Sequence, residues 1–450
     1  MRLFHFGVGF SLALGMSLGI GAGCAAGGND NPSGTGGNVS TSNTGTGGGV
    51  GGGLITTSSG GGDAGTPDGF GACAKFNAEA KQAPAAMLIV LDRSASMSTN
   101  NKWGVAGQAI IKAIDQDVFD TMSLGFTAFP AGETAAPACL AGIYDKVYCS
   151  FYKATDAEFP VPIAPAGTDK STASTGVRSN IFAWLNQHSP ETADMSDSSP
   201  IYDALAAAYD AVRATTIEKR IVALVTDGGF SCTSVSSPKR PGYSDGLCED
   251  WEYPSSVNKL ISDARVDPTA PVNTFVVGVP GSNSHANDFP FPYAVAPYTM
   301  RLALSTYAVS GSPDTVDPTC DKSAIFSQGA SDPAKPCHID LSNNANFNPD
   351  ALANAIATIR GKALGCAYDL PEPPPGESID PSQVNVVVTV DGKDYTIPKR
   401  KDPNDMCAVD PCWDYDANGK VELIGITCST VSTSATAKVE IYVGCATILK

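Results

Sequence analysis

The sequence predicts an α/β protein: a doubly wound, mostly parallel sheet over residues 76–366, followed by a small disulfide-linked all-β module over 367–450. Three observations predict it. Continuous apolar runs alternate with stretches whose apolar residues recur at helical spacing, the pattern of a parallel sheet covered on both faces. From Ala367 onward the pattern changes to a Pro-rich stretch and then to short strand-like runs. Finally, once Cys24 is set aside, twelve of the 13 cysteines remain, an even number. In an exported chain an even count argues for disulfides in an oxidising compartment. Zinc is the competing reading, but no C-x-x-C pair occurs and the four His are scattered.

Residues 1–23 read as an export signal. Arg2 supplies the positive start, "FGVGFSLALGMSLGIGAG" a short, Gly-diluted apolar stretch, and "GAGC" small residues ahead of Cys24. Such a stretch is too short and Gly-rich to favour a spanning helix. Cys24 resembles the acylated cysteine of bacterial lipoproteins, with Gly21 where such sequences usually carry Leu. The resemblance implies a lipid anchor at Cys24 and a place in the cell envelope, at the outer membrane or cell surface. The alternative is an ordinary signal peptide that releases a soluble protein. Residues 24–75, with "GGNDNPSGTGGNVSTSNTGTGGGVGGG", hold almost no large apolar residues and cannot offset the entropy of ordering. A chain of this composition is a flexible linker with an end-to-end distance on the order of 35–40 Å.

The α/β elements follow in order. "AMLIVL" is a continuous apolar strand, and "WGVAGQAIIKAI" a helix with Trp103, Ala106, Ile110, Ala113 and Ile114 on one face. "MSLGFTAF" is the next strand, and "IYDALAAAYDAVRA" a helix striped by Ile201, Leu205, Ala208 and Val212. "RIVALVTD" is a strand, "VNKLISDA" a helix and "NTFVVGV" a strand. "NPDALANAIATIRGKAL" closes the layer, with Asn348 as N-cap and Pro349 in the first turn. In the C-terminal module, "PEPPPGESIDP" cannot be helical, and "VNVVVTVDGKDYTI" reads as two strands about an Asp-Gly turn. "KVELIGITC" and "AKVEIYVGC" are further strand candidates.

The formal charge is −17. That balance argues against nucleic acid as a partner, because phosphate binding needs clustered Lys and Arg. The densest basic run is only "PKRK", Pro398 to Lys401.

The chemistry concentrates where predicted strands end. "LIVLDRSASM" passes abruptly from apolar residues to Asp92, Ser94 and Ser96. "SSPIYDAL" places Ser199 just before a helix, and "LVTDGG" places Asp227 just after a strand. In open α/β sheets, ligands bind at the carboxyl ends of the strands. Hydroxyl and carboxylate oxygens are hard donors suited to Mg²⁺, Mn²⁺ or Ca²⁺. Each residue alone also has a structural reading: Ser199 with Pro200 caps a helix, Asp227 makes a turn, and Asp92 or Ser94 caps the helix starting near Lys102.

Together, and in this order, these residues resemble the metal-ion-dependent adhesion site of the von Willebrand factor type A (vWA) domain. That family carries D-x-S-x-S after its first strand, a Thr before a later helix and an Asp after a central strand. The resemblance covers residues 85–366 and implies a vWA, Rossmann-like fold. It implies metal ligands at Asp92, Ser94, Ser96 and Asp227, and at Ser199 in place of Thr. It also implies Mg²⁺ first, with Mn²⁺ or Ca²⁺ as alternatives, and an open coordination position filled by an Asp or Glu of a protein or cell-surface ligand. The bound ion offsets the local negative charge.

Disulfides in such a domain would staple inserted loops. Cys139–Cys149, Cys232–Cys248 and Cys320–Cys337 each bracket a polar, turn-rich segment. Because the two ends of a vWA domain lie close, Cys73–Cys366 is expected as well. The function expected is metal-dependent adhesion or assembly by an anchored binding protein, not catalysis. The alternatives are a metal-dependent hydrolase or enzyme partner, or an envelope protein with a vestigial site. "DYDANGKVE" imitates half an EF-hand loop but has Gly425 at the twelfth position, so a hairpin turn at Asn418-Gly419 is the better reading. His188, His285 and His338 lie in no catalytic motif.

Overall fold

The computed structural model describes residues 70, 73–80, 84–131, 151–190, 199–228, 253–284, 299–327, 331–416, 418–434 and 437–450. The expected signal, Cys24, nearly all of the linker, and Cys139, Cys149, Cys232 and Cys248 lie outside these residues.

In chain order the elements are β1 (Phe76–Glu79), β2 (Ala85–Asp92), α1 (Lys102–Ile114), β3 (Ser123–Phe129), β4 (Val161–Pro165), α2 (Val177–Gln187) and α3 (Ile201–Arg213). Then come β5 (Lys219–Thr226), α4 (Pro254–Arg265), β6 (Asn273–Gly278), α5 (Met300–Gly311), β7 (Ile339–Asp340) and α6 (Pro349–Leu364). The C-terminal part adds β8 (Ala367–Tyr368), β9 (Val384–Val390), β10 (Lys393–Ile397), β11 (Cys412–Tyr415), β12 (Val421–Ile424), α7 (Ile426–Thr433) and β13 (Lys438–Val443). Among the described residues, no helix is long and apolar enough to cross a membrane.

The α/β layer is a six-stranded sheet in the order β4-β3-β2-β5-β6-β7. All neighbouring pairs are parallel except β3 with β4. β2 lies at the centre and every one of its residues is buried. Alternate side chains point to opposite faces. Met87, Ile89 and Leu91 therefore enter a core with α1, α2 and α6, while Leu88 and Val90 enter another with α3, α4 and α5. Burying a side chain of this size is worth about 1.5–3 kcal/mol. Double burial is why the run has no polar residue until its last position.

The chain passes from β2 to β3 on one side, then returns to place β5 on the other. The strand order reverses between β2 and β5. The crevice beyond their carboxyl ends is the topological switch point, where such sheets bind ligands. α6 begins as expected, with Asn348 Oδ1 accepting from the Ala351 amide at 2.9 Å.

Several elements escape the sequence pattern. β4 contains Pro162 and Pro165 and tolerates them because it is an antiparallel edge strand. α5 is buried on most of its surface, so its residues show little helical alternation. "KVELIGITC" is strand only to Ile424; Gly425, at φ +55, turns the chain into α7.

The C-terminal strands form two antiparallel sheets, β1-β13-β9-β10 and β11-β12-β8. Asp391 and Gly392 both have positive φ in the β9–β10 hairpin, as a tight primed turn requires. β11 and β12 pair across the turn at Asn418-Gly419, where Asp416 Oδ1 accepts from the amides of Asn418 and Lys420, each at 2.8 Å.

Two expectations are corrected here. The α/β layer does not begin at residue 76, because β1 pairs with β13, with Phe76 opposite Val443. The first strand thus completes the C-terminal sheet. For the same reason Cys73 does not pair with Cys366. Antiparallel pairing brings Cys73, just before β1, to Cys445, just after β13, and these two are bonded. Cys366, at the end of α6, meets Cys428 on α7 instead. The helices behind that bond touch closely: a Cβ on Gly361 would lie 1.7 Å from the Ser432 carbonyl oxygen. Cys320–Cys337 and Cys407–Cys412 are the other described bonds.

Candidate functional site

The five oxygen-bearing residues predicted from sequence come together at the switch point. Asp92 is the last residue of β2 and is fully buried. The following turn folds back, so that the Ser94 amide donates to Asp92 Oδ1 at 2.9 Å. Ser94 Oγ lies 2.9 Å from Ser96 Oγ, and Ser96 Oγ donates to Asp227 Oδ1, also at 2.9 Å. Ser199 Oγ reaches Asp92 Oδ2 at 3.5 Å. Ser94, Ser199 and Asp227 are buried, whereas Ser96 is exposed, so the cluster opens to solvent at Ser96.

This geometry bears on the capping and turn readings of these residues. The N-cap position of α3 is Pro200 rather than Ser199. The Ser199 hydroxyl points at Asp92. Ser94 precedes the 3-10 segment Ala95–Asn101, without a side-chain cap bond. Asp227 does more than shape a turn, because both of its carboxylate oxygens have partners.

Two participants were missed in the sequence. Thr226, fully buried at the end of β5, donates from Oγ1 to Asp92 Oδ2 at 2.6 Å and accepts from the Gly228 amide at 2.9 Å. Its position next to Asp227 was the available signal. Lys102, at the start of α1, is buried and forms an ion pair with Asp227 Oδ2. Nothing in the local sequence marks it, since a Lys in a first helical turn is ordinarily solvated.

Glycines let the chain close round the cluster. Gly228 has φ +85, and a Cβ there would lie 1.8 Å from Met300 Sδ. Gly281, at φ +114, packs its backbone against Asp227 and Lys102. Beside Gly281 opens a polar cavity of about 530 Å³ lined also by Asn283, Arg301, Asp340, Asn343 and Asn346.

The electrostatics follow from burial. Asp92 is pushed up to about 7, first because it is removed from water and second because the Asp227 carboxylate faces it. Burial also pushes Asp227 up, against the pull of Lys102 and of the Ser96 hydroxyl. Two buried carboxylates thus share a region short of positive charge.

That observation tests whether a cation suits the donor set. All five donors are hard oxygens, two of them carboxylates, converging from three separate chain segments. The set fits Mg²⁺, Mn²⁺ or Ca²⁺ in ligand type. Among the described residues, no group of three or more His, Cys, Asp or Glu side chains is placed to hold a metal.

No protein-family model matches the sequence, and no curated protein matches it. Similar solved structures include the pilus adhesin SpaC from Lactobacillus rhamnosus GG, at 13% identity and TM-score 0.39, covering 82% of this chain and 40% of the adhesin. The chain thus spans well under two thirds of that protein. BatB from Bacteroides thetaiotaomicron is similar at 15% identity and TM-score 0.32, covering 61% of this chain and 98% of that one. The PilB minor pilin from Streptococcus sanguinis is similar at 9% identity and TM-score 0.34, covering 63% and 62% of the two chains.

Proposed function

We propose that this protein is an exported, vWA-like binding protein of the cell envelope, tethered through Cys24 and a long linker. It holds a divalent cation with Asp92, Ser94, Ser96, Ser199 and Asp227, and binds an acidic protein or surface ligand through it. Its role is adhesion or assembly rather than catalysis. The observation that carries this reading is the convergence of those five residues near the carboxyl ends of β2 and β5: Ser94, Ser96 and Asp227 are joined through side-chain oxygens at 2.9 Å, Ser199 reaches Asp92 at 3.5 Å, and the Ser94 amide ties Asp92 to the first three at 2.9 Å.

When bound, the cation supplies an electrophilic bridge to a ligand carboxylate. The protein's own residues orient that bridge. Thr226 and the Ser94 amide fix the Asp92 carboxylate, and Ser96 marks the exposed approach. The neighbouring polar cavity offers amide and guanidinium groups to residues flanking the ligand's acid.

Calorimetry with Mg²⁺ and Mn²⁺ tests the reading on wild type and Asp92→Ala. One ion bound by wild type and none by the variant is the expected result. Equal or absent binding in both removes the mechanism. Pull-down from envelope extracts with and without chelator then identifies the partner, which is expected only in the chelator-free arm.

A further inference from the structure

Lys102 carries more than the ion pair already described. Its side chain is only 6% exposed. Nζ donates to Asp227 Oδ2 and, at 3.0 Å, to the Pro280 carbonyl oxygen. Gly281 closes the third side: a Cβ placed there would lie 3.5 Å from Nζ and 3.2 Å from the Asp227 carbonyl oxygen. The first turn of α1, the end of β5 and the loop after β6 thus enclose one ammonium group. Burying an ammonium is costly unless it is paired and hydrogen-bonded, and here it is both.

Asp227 faces two ways. Oδ2 is held by Lys102, while Oδ1 is held by Ser96 on the side of the hydroxyl cluster. The other buried cation nearby, Arg93, lies 6.0 Å over the Trp184 ring.

We infer that Lys102 is a resident counter-cation that lowers the site's affinity for a divalent ion and makes the loaded site depend on an anionic ligand. The inference rests on the metal-site reading above. With both carboxylates ionised, as metal ligation requires, and one ammonium beside them, the cluster carries a single negative charge. A divalent ion reverses that to a single positive charge, which an acidic ligand neutralises. Without Lys102 the loaded cluster would be neutral before any ligand arrived. Like charges that share one buried carboxylate oppose each other strongly, because the local dielectric is low. The same ammonium holds Asp227 in place when no ion is bound.

The test uses the full chain, Mg²⁺ and Mn²⁺ alone, and three variants. Lys102→Met and Lys102→Gln remove the charge; Lys102→Arg keeps it. Lys102→Gln retains a polar tip and serves where Lys102→Met does not fold. Calorimetry is expected to show Mn²⁺ bound at least tenfold more tightly by Lys102→Met and Lys102→Gln than by wild type, with Lys102→Arg near wild type. In chelator, the two neutral variants are expected to melt at lower temperature. Binding by the neutral variants alone would also support the inference. Unchanged or weaker binding in those variants, with wild type binding normally, overturns it and leaves the metal site standing. Absence of binding in all four proteins overturns both.

Discussion

Ser96 and Asp227, 131 residues apart in sequence, meet through a 2.9 Å bond from the serine hydroxyl to the aspartate Oδ1. One is the exposed lip of the cluster and the other its buried wall. The bond closes the turn after β2 onto the turn after β5, across the point where the strand order reverses.

Ser96→Ala and Ser199→Ala are therefore expected to weaken Mn²⁺ binding by about tenfold or more, as loss of groups at or around a metal typically does. Titration calorimetry on each variant checks this. Melting in chelator is expected to change little for Ser96→Ala, because Ser96 is already at the surface. An unchanged affinity in both variants would exclude the hydroxyls as ligands.

Thr226→Val keeps the shape of a fully buried side chain but removes its hydroxyl. It leaves Asp92 Oδ2 without its 2.6 Å donor and the Gly228 amide without its acceptor. Losing buried partners of this kind costs roughly 1–3 kcal/mol. Chemical denaturation in chelator is expected to show a loss of that size.

Non-reducing peptide mapping is expected to recover Cys73–Cys445, Cys366–Cys428, Cys320–Cys337 and Cys407–Cys412. A Cys73–Cys366 peptide would contradict the pairing of β1 with β13. Replacing both Cys73 and Cys445 with Ser is expected to destabilise the C-terminal sheet by about 2–5 kcal/mol, the usual effect of losing a native disulfide.

His338 gives a pH signature. It is buried, neither ring nitrogen has a hydrogen-bond partner among the described residues, and burial pushes it down to about 4, partly opposed by Asp340. Between pH 6.5 and 4 the unfolded chain takes up this proton before the folded one does. Stability from this group is therefore present above pH 6.5 and is lost as pH falls toward 4. The stability of wild type relative to His338→Gln is expected to fall over that window, measured by denaturant midpoints. The difference between the two proteins cancels the opposite trend from Asp92, whose raised value favours the folded state at the acid end of the same window. A flat difference would place His338 in contact with water.

Much of this site is legible without coordinates because its residues sit at changes of pattern. "AMLIVL" has no polar residue, so Asp92 at its end marks where the apolar strand gives way to a polar turn. The same holds for "RIVALVT" and Asp227. Thr226 is harder to see, since a Thr completing a buried strand looks like any β-branched residue. β4 is hidden by its prolines and α5 by burial on most faces. Periodicity marks an element only when one side of it meets water.

The sequence by itself determined the α/β layer and the small β module after it, and it marked the oxygen-bearing residues that lie near the carboxyl ends of β2 and β5. These depend on local alternation of apolar and polar residues, and on carboxylates placed where buried strands emerge. Only the tertiary structure decided that β1 leaves the α/β layer for β13, that Cys73 meets Cys445, and that Lys102 is enclosed against Asp227. Each of those is a relation between segments more than 100 residues apart, set by which surfaces pack together. No local pattern encodes which distant partner a lone strand, cysteine or lysine will find.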